Sequence, residues 1–215
     1  MELQAMDNQK LRKLLISIAI GAVAGFVVSF ALMRTIQTGV LGDLGASRSI
    51  AALLGAMYVL CGIFVGLGVL SPKIGARFLN VEDAEELREQ SRMLRNSTFG
   101  IIAFGLSMLL LAFAAPAGPL SPALVGGSIA VLMSVATLTS LHTLKFMDEL
   151  NTMVSRETSV TSFYLMFFVG GGWSVLAHLG LVPALAPLDW LTMFAAAMLF
   201  AAFWVSARRG LLLPR

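Results

Sequence analysis

The fold of this chain follows from one charged stretch, SPKIGARFLNVEDAEELREQSRMLRNST (residues 71–98), and from the apolar sequence on both sides of it. The stretch holds ten of the chain's charged residues, five basic and five acidic, so their charges cancel. It is the longest segment without an apolar run of bilayer length. Everything around it alternates between such runs and short polar connectors, a pattern that is typical of a polytopic membrane protein.

The composition agrees with a membrane protein. Hydrophobic residues make up 58% and charged residues 13% of the chain, and the mean hydropathy is +0.86. These values lie outside the range of soluble domains. We predict one all-α transmembrane domain, a bundle of six helices with spans near residues 14–33, 50–70, 99–115, 123–144, 160–181 and 190–207. Every Lys, Arg, Asp and Glu lies outside these spans, as expected where a charge at the bilayer centre costs about 3 kcal/mol.

The distribution of basic residues predicts an orientation. If the six helices alternate in direction, 13 of the 15 basic residues fall on one side of the membrane, and only Arg34 and Arg48 fall on the other. The positive-inside rule then places both termini and the loop at residues 71–98 in the cytoplasm. We expect a multi-pass protein of the cell membrane, specifically a bacterial inner membrane, whose first partner is the lipid bilayer. No basic face is left for nucleic acid.

Within the 71–98 loop, the sequence predicts a short amphipathic helix on the cytoplasmic surface. Asn80 is a candidate N-cap, and acidic residues precede basic ones, as the helix dipole favours. Val81, Ala84, Leu87 and Leu94 recur at helical spacing and form a candidate docking stripe. This stripe could rest on lipid headgroups, on another part of the chain or on a partner protein.

Small residues predict where helices pack closely. Gly21, Gly25 and Ser29 form a ridge at a spacing of four in the first helix, and Gly62 and Gly66 form another in the second. Such ridges let helix backbones approach each other. The partner could be another helix of this chain, a second copy or a different protein.

The fourth helix is the most polar of the six. Ser134, Thr137 and Ser140 are the candidate residues of a polar path, although hydroxyls in membrane helices also bond back to the preceding turn. Apolar residues from Phe146 to Val154 keep helical spacing, so we expect this helix to continue beyond the membrane.

The sequence contains no pattern that indicates a catalytic, cofactor or metal site. His142 and His178 are predicted near opposite membrane faces, and Cys61 is the only cysteine, so a shared metal site is not expected. Gly126-Gly127-Ser128 departs from the Gly-x-Ser-Gly motif of intramembrane serine proteases, because Ile129 replaces the second glycine.

These observations favour a non-enzymatic integral membrane protein that acts as a structural, assembly or accessory subunit. Its partner would be another protein or a second copy, bound through the glycine ridges or the loop. The alternative is a small-solute transporter or channel. Ion-coupled transport usually needs a charged residue inside the membrane, and the predicted spans contain none.

Overall fold

The computed structural model describes residues 8–71, 73, 75 and 84–212, and the regular structure of this part of the chain is helical. Its helices are α1 (Asn8–Gln37), α2 (Gly45–Leu70), α3 (Ala84–Glu89), α4 (Ser91–Ala112), α5 (Pro122–Thr143), α6 (Glu149–Leu165), α7 (Gly171–His178) and α8 (Pro187–Arg208). A 3₁₀ turn (Leu144–Phe146) follows α5, and a π-helical segment (Met166–Gly170) joins α6 to α7. Six helical segments are long and apolar enough to cross a membrane, which confirms the prediction of an all-α chain with six candidate spans.

The expected extension of the fourth spanning helix is wrong. The helical structure that begins with α5 ends at Phe146, and a new helix begins at Glu149. Asp148 caps this helix, because its Oδ1 accepts a 2.7 Å hydrogen bond from the backbone N–H of Asn151. The apolar residues after Phe146 therefore belong largely to the start of the fifth spanning segment. The spacing of apolar residues indicates one continuous helical face. It does not show that a cap at Asp148 divides this face between two helices.

The centre of the bundle is the antiparallel pair formed by α2 and α4. Their backbones touch where Gly55 meets Gly105: a β-carbon added at Gly55 would lie 2.8 Å from the carbonyl oxygen of Gly105. Next to this crossing, a tightly packed cluster consists of Ala51, Ala52, Met108, Ala112 and Ala195, each at most 2% exposed. These mostly small side chains allow the close backbone contact that holds helices together where lipid surrounds the protein.

The other helices pack around this pair in an up-and-down arrangement. α5 packs on α4, α8 packs on α2, the segment from α6 to α7 packs on α8, and α1 packs on α2. We call the end of the bundle at which α2, α5 and α8 finish the basic end. The opposite end, where these helices begin, is called the loop end. This name does not refer to the 71–98 loop, which follows α2 at the basic end.

The structure divides the residues of the predicted surface helix between two helices. α3 covers Ala84–Glu89, whereas Leu94 belongs to α4, the third spanning helix. Val81 lies outside the described residues. Leu87 is fully buried, and its Cδ2 lies 2.7 Å from the position that a β-carbon added at Gly75 would take. This member of the stripe therefore packs against the chain that follows α2.

Candidate functional site

The small-residue ridge of α1 faces open space. A β-carbon added at Gly21 or Gly25 would have no atom within 4 Å apart from those of its chain neighbours and its own helix backbone. Together with Ser29, these residues form one wall of a groove of about 780 Å³, which we call the α1 groove. The opposite wall consists of Met57, Leu60, Cys61, Phe64 and Val65 of α2 and Phe203 of α8. None of the α1 side chains that the structure describes is buried, so α1 keeps a large open surface.

The two glycines predicted to pack in α2 lie against a neighbouring helix. A β-carbon added at Gly62 would lie 2.5 Å from Cγ1 of Ile102, and one added at Gly66 would lie 3.0 Å from Cγ2 of Thr98. Both neighbours belong to α4. The five predicted packing residues therefore fall into two groups: those of α2 pack inside the bundle, and those of α1 line the open groove.

The backbone contact between Gly55 and Gly105 is not evident from the two glycine ridges. A signal for it exists at a spacing of seven residues. Thr98, Gly105 and Ala112 are all buried on one face of α4, and Gly55 and Gly62 show the same spacing in α2. A repeat of seven is the period at which two packed helices keep facing each other.

A second cavity, of about 620 Å³, lies among α2, α4, α5, α6 and α8. We call it the hydroxyl cleft, because Tyr58, Ser97, Thr137, Ser140, Thr143 and Ser155 contribute to its lining. Ser134 is not among the lining residues and instead donates a 2.7 Å hydrogen bond to the carbonyl oxygen of Ala130, one turn earlier. The structure thus brings together two of the three residues predicted to form a polar path.

The hydroxyls of this cleft differ in their hydrogen bonding. The Tyr58 hydroxyl donates to the carbonyl oxygen of Ala195, and the Thr143 hydroxyl donates to that of Thr139, both at 2.8 Å. In contrast, four hydroxyls make no hydrogen bond within the described part of the chain: those of Ser97, Thr137, Ser140 and Ser155. These four groups are available to a ligand or to water.

The hydroxyl cleft changes in polarity along its length. Its serines and Thr137 lie toward the basic end, whereas Phe104 and Phe194 line it near the middle of the bundle. Beyond them, toward the loop end, Ala51 and Met108 belong to the tightly packed cluster. The described lining is therefore polar toward the basic end and apolar toward the middle of the bundle.

At the loop end, polar side chains tie three helices together. Arg48 of α2 donates hydrogen bonds to the carbonyl oxygens of Ala112 and Ala114, at the end of α4. Ser47 donates to Oδ1 of Asp189 in the first turn of α8, whose Oδ2 accepts a 2.8 Å hydrogen bond from the backbone N–H of Ala186. These groups are hydrogen-bonded within the protein, so we assign them a structural role.

At the basic end, an ion pair joins α6 to the end of α8. Nε and Nη2 of Arg209 donate hydrogen bonds of 2.8 and 2.6 Å to the two carboxylate oxygens of Glu157. These bonds raise the pKa of Arg209, which lies just after the last span, above its ordinary value. The bidentate geometry fixes the direction in which α8 leaves the bundle.

The two histidines lie at opposite ends of the bundle. His142 lies at the end of α5, where its ring and that of Phe146 form an edge-to-face pair with centroids 5.2 Å apart, and His178 ends α7. Among the residues that the structure describes, no group of three His, Cys, Asp or Glu side chains is placed to bind a metal ion. The two cavities are therefore the candidate sites of function.

Three comparisons, with protein-family models, with curated proteins and with solved structures, found no match to this chain.

Proposed function

We propose that this protein is a non-enzymatic subunit of a membrane assembly and that its α1 groove receives a transmembrane helix of a partner protein. One observation carries the proposal: Gly21 and Gly25 present a small-residue face with no neighbour within 4 Å. A face of this kind gains little from contact with acyl chains but lets another helix approach closely. The apolar wall opposite, formed mainly by α2, supplies the packing surface that such a helix needs.

The packing of α2 on α4 supports this interpretation by comparison. At Gly62 and Gly66, small residues of α2 already have a helix against them, whereas the equivalent ridge of α1 does not. Both ridges contain two glycines at a spacing of four residues. We therefore infer that the α1 ridge serves the same purpose, with a partner that is not part of this chain.

We also propose an orientation and a location. The excess of basic residues at one end supports cytoplasmic termini and a cytoplasmic 71–98 loop, with its amphipathic segment near the membrane surface. The protein would then lie in a cell membrane, such as a bacterial inner membrane.

A glycine substitution at the groove tests the subunit role. Gly25→Leu fills the groove, and Gly172→Leu is the matched control, because Gly172 also has no neighbour within 4 Å but lies in α7, away from the groove. We expect native mass spectrometry of nanodisc preparations to show one stoichiometric partner polypeptide with the wild type and with Gly172→Leu, but not with Gly25→Leu. A second copy of this chain in its place would indicate a homo-oligomer. If the wild type and both variants show the same set of bound polypeptides, the proposal is refuted.

The alternative is a small-solute transporter or channel, and the observation that favours it is the hydroxyl cleft. Against it, the packed cluster that contains Ala52 and Ala195 separates this cleft from the loop end. A transporter would have to open this cluster during each cycle. Uptake of small neutral solutes into proteoliposomes, lowered by Thr137→Val but not by Ser134→Ala, would favour transport over the subunit role.

A further inference from the structure

We propose that the hydroxyl cleft binds an uncharged amphiphile, a molecule with an alkyl body and a small head group that carries hydroxyls. This inference goes beyond the proposed subunit role and does not depend on it, because the cleft and the α1 groove share no lining residue. A cavity of about 620 Å³ falls within the ordinary range for ligand sites.

The four unpaired hydroxyls indicate the hydrogen-bonding chemistry of the head group. Ser97, Thr137, Ser140 and Ser155 come from three different helices and reach one cavity without a hydrogen-bond partner in the described chain. Thr137, Ser140 and Ser155 are exposed and Ser97 is half-buried, so a molecule that enters the cleft would displace water from these hydroxyls. Because a polar group that loses water without gaining a partner is costly, a molecule that donates and accepts hydrogen bonds is favoured there. Hydroxyls of a glycerol-like head can do both.

The lining residues of the cleft also indicate the charge of the ligand's head group. Among the described residues that line the cleft, none is charged. An anionic or cationic head group would give up part of its hydration to enter the cleft without gaining an opposite charge, which is unfavourable. The head group is therefore uncharged.

The alkyl body follows from the deeper lining and from the opening. Ile101, Phe104, Phe194 and Met198 line the part of the cleft nearest the bundle centre. Leu141 of α5 and Leu144 of the following 3₁₀ turn lie at the rim and are 58% and 61% exposed, so the cleft is also open to the side. An amphiphile in the leaflet at the basic end could enter laterally, place its chain against the aromatic rings and keep its head near the interface.

Photolabelling of the full-length protein in phosphatidylcholine nanodiscs tests the proposal. The probes are a monoacylglycerol with a diazirine in its chain, the corresponding fatty acid and the corresponding methyl ester. We expect the monoacylglycerol to label peptides that contain Ile101, Phe104 or Met198, and to do so more strongly than the other two probes. Thr137→Val combined with Ser140→Ala should lower this labelling by about fivefold or more, because two neutral hydrogen bonds are lost.

Ser134→Ala is the matched control, because its hydroxyl lies on the same helix, outside the cleft and bonded to its own backbone. It should leave the labelling unchanged, and equal melting temperatures would show that all variants are folded. If the double variant is unstable, Ser97→Ala alone should still lower the labelling. Equal labelling by all three probes would mean that the cleft merely contains lipid chains, and preferential labelling by the fatty acid would mean an anionic ligand. Either result would overturn the proposal, as would equal effects of the double variant and the control.

Discussion

A methyl group added at Gly105 should cost the protein more stability than the same methyl group added at Gly25. In Gly105→Ala, the new carbon would lie 2.7 Å from the carbonyl oxygen of Gly55, 2.8 Å from the backbone nitrogen of Val59 and 2.9 Å from Cβ of Tyr58. Ordinary contacts of a β-carbon begin at 3.4 Å, so α2 and α4 would have to separate by roughly 0.7 Å at this point. None of the three atoms can rotate away, because two are backbone atoms and the third is a β-carbon.

The comparison with Gly25→Ala isolates this packing cost. Replacing glycine by alanine in a helix contributes about 1 kcal/mol of stability through helix propensity, and this contribution is common to both variants. Overpacking in a well-packed core typically costs about 1–3 kcal/mol, and only Gly105→Ala incurs it. At about 2–4 °C per kcal/mol for a chain of this size, the melting temperature of Gly105→Ala should lie about 2–12 °C below that of Gly25→Ala.

Thermal unfolding in detergent, followed by circular dichroism and by the reaction of Cys61 with a fluorogenic thiol reagent, measures this difference. Cys61 lies in α2 and is partly buried, so its reaction reports the loss of packing around that helix. If Gly105→Ala melts at or above the temperature of Gly25→Ala, the α2–α4 crossing is not where the structure places it, and the reasoning fails.

Two further predictions concern the loop end and the orientation. Arg48→Gln should lower the free energy of unfolding by about 1.5–3 kcal/mol, because charged hydrogen bonds to the carbonyls at the end of α4 are lost; chemical unfolding measures this. Arg34→Gln, which removes only a cation–π contact 5.3 Å from the Phe30 ring, should cost about 0.5–1 kcal/mol. In a Cys61→Ala background on intact cells, an impermeant thiol reagent should label Asp43→Cys but not Glu89→Cys, and the reverse pattern would invert the proposed orientation.

The six helices could be predicted from the sequence, and so could some of their ends, such as Leu70, but others could not. Hydropathy reports which residues suit a hydrocarbon environment, whereas a helix continues into polar sequence until a cap or a turn stops it. α4 therefore begins at Ser91, well before the apolar run that starts near residue 99. The fifth segment begins at Glu149 for the same reason, after the cap provided by Asp148.

The candidate sites could be predicted only in part. Hydroxyl composition identifies Thr137 and Ser140, but it does not distinguish them from Ser134, whose side chain bonds to its own helix. Similarly, glycine spacing indicates that a helix can be approached closely, but not whether a helix of the same chain does so. Gly25 and Gly62 have the same local pattern and opposite surroundings, and only the tertiary arrangement separates them.

The subunit role is tested most directly by photocrosslinking in native membranes from a position inside the α1 groove. A photoreactive amino acid at Ala22, which lines the groove, is compared with one at Leu138, which is 66% exposed on α5 and lies outside the described cavities. We predict that position 22 forms one protein adduct of defined mass, that Gly25→Leu abolishes this adduct, and that position 138 labels lipid only. Lipid labelling alone at both positions would contradict the account, because the groove would then be an ordinary lipid-facing surface.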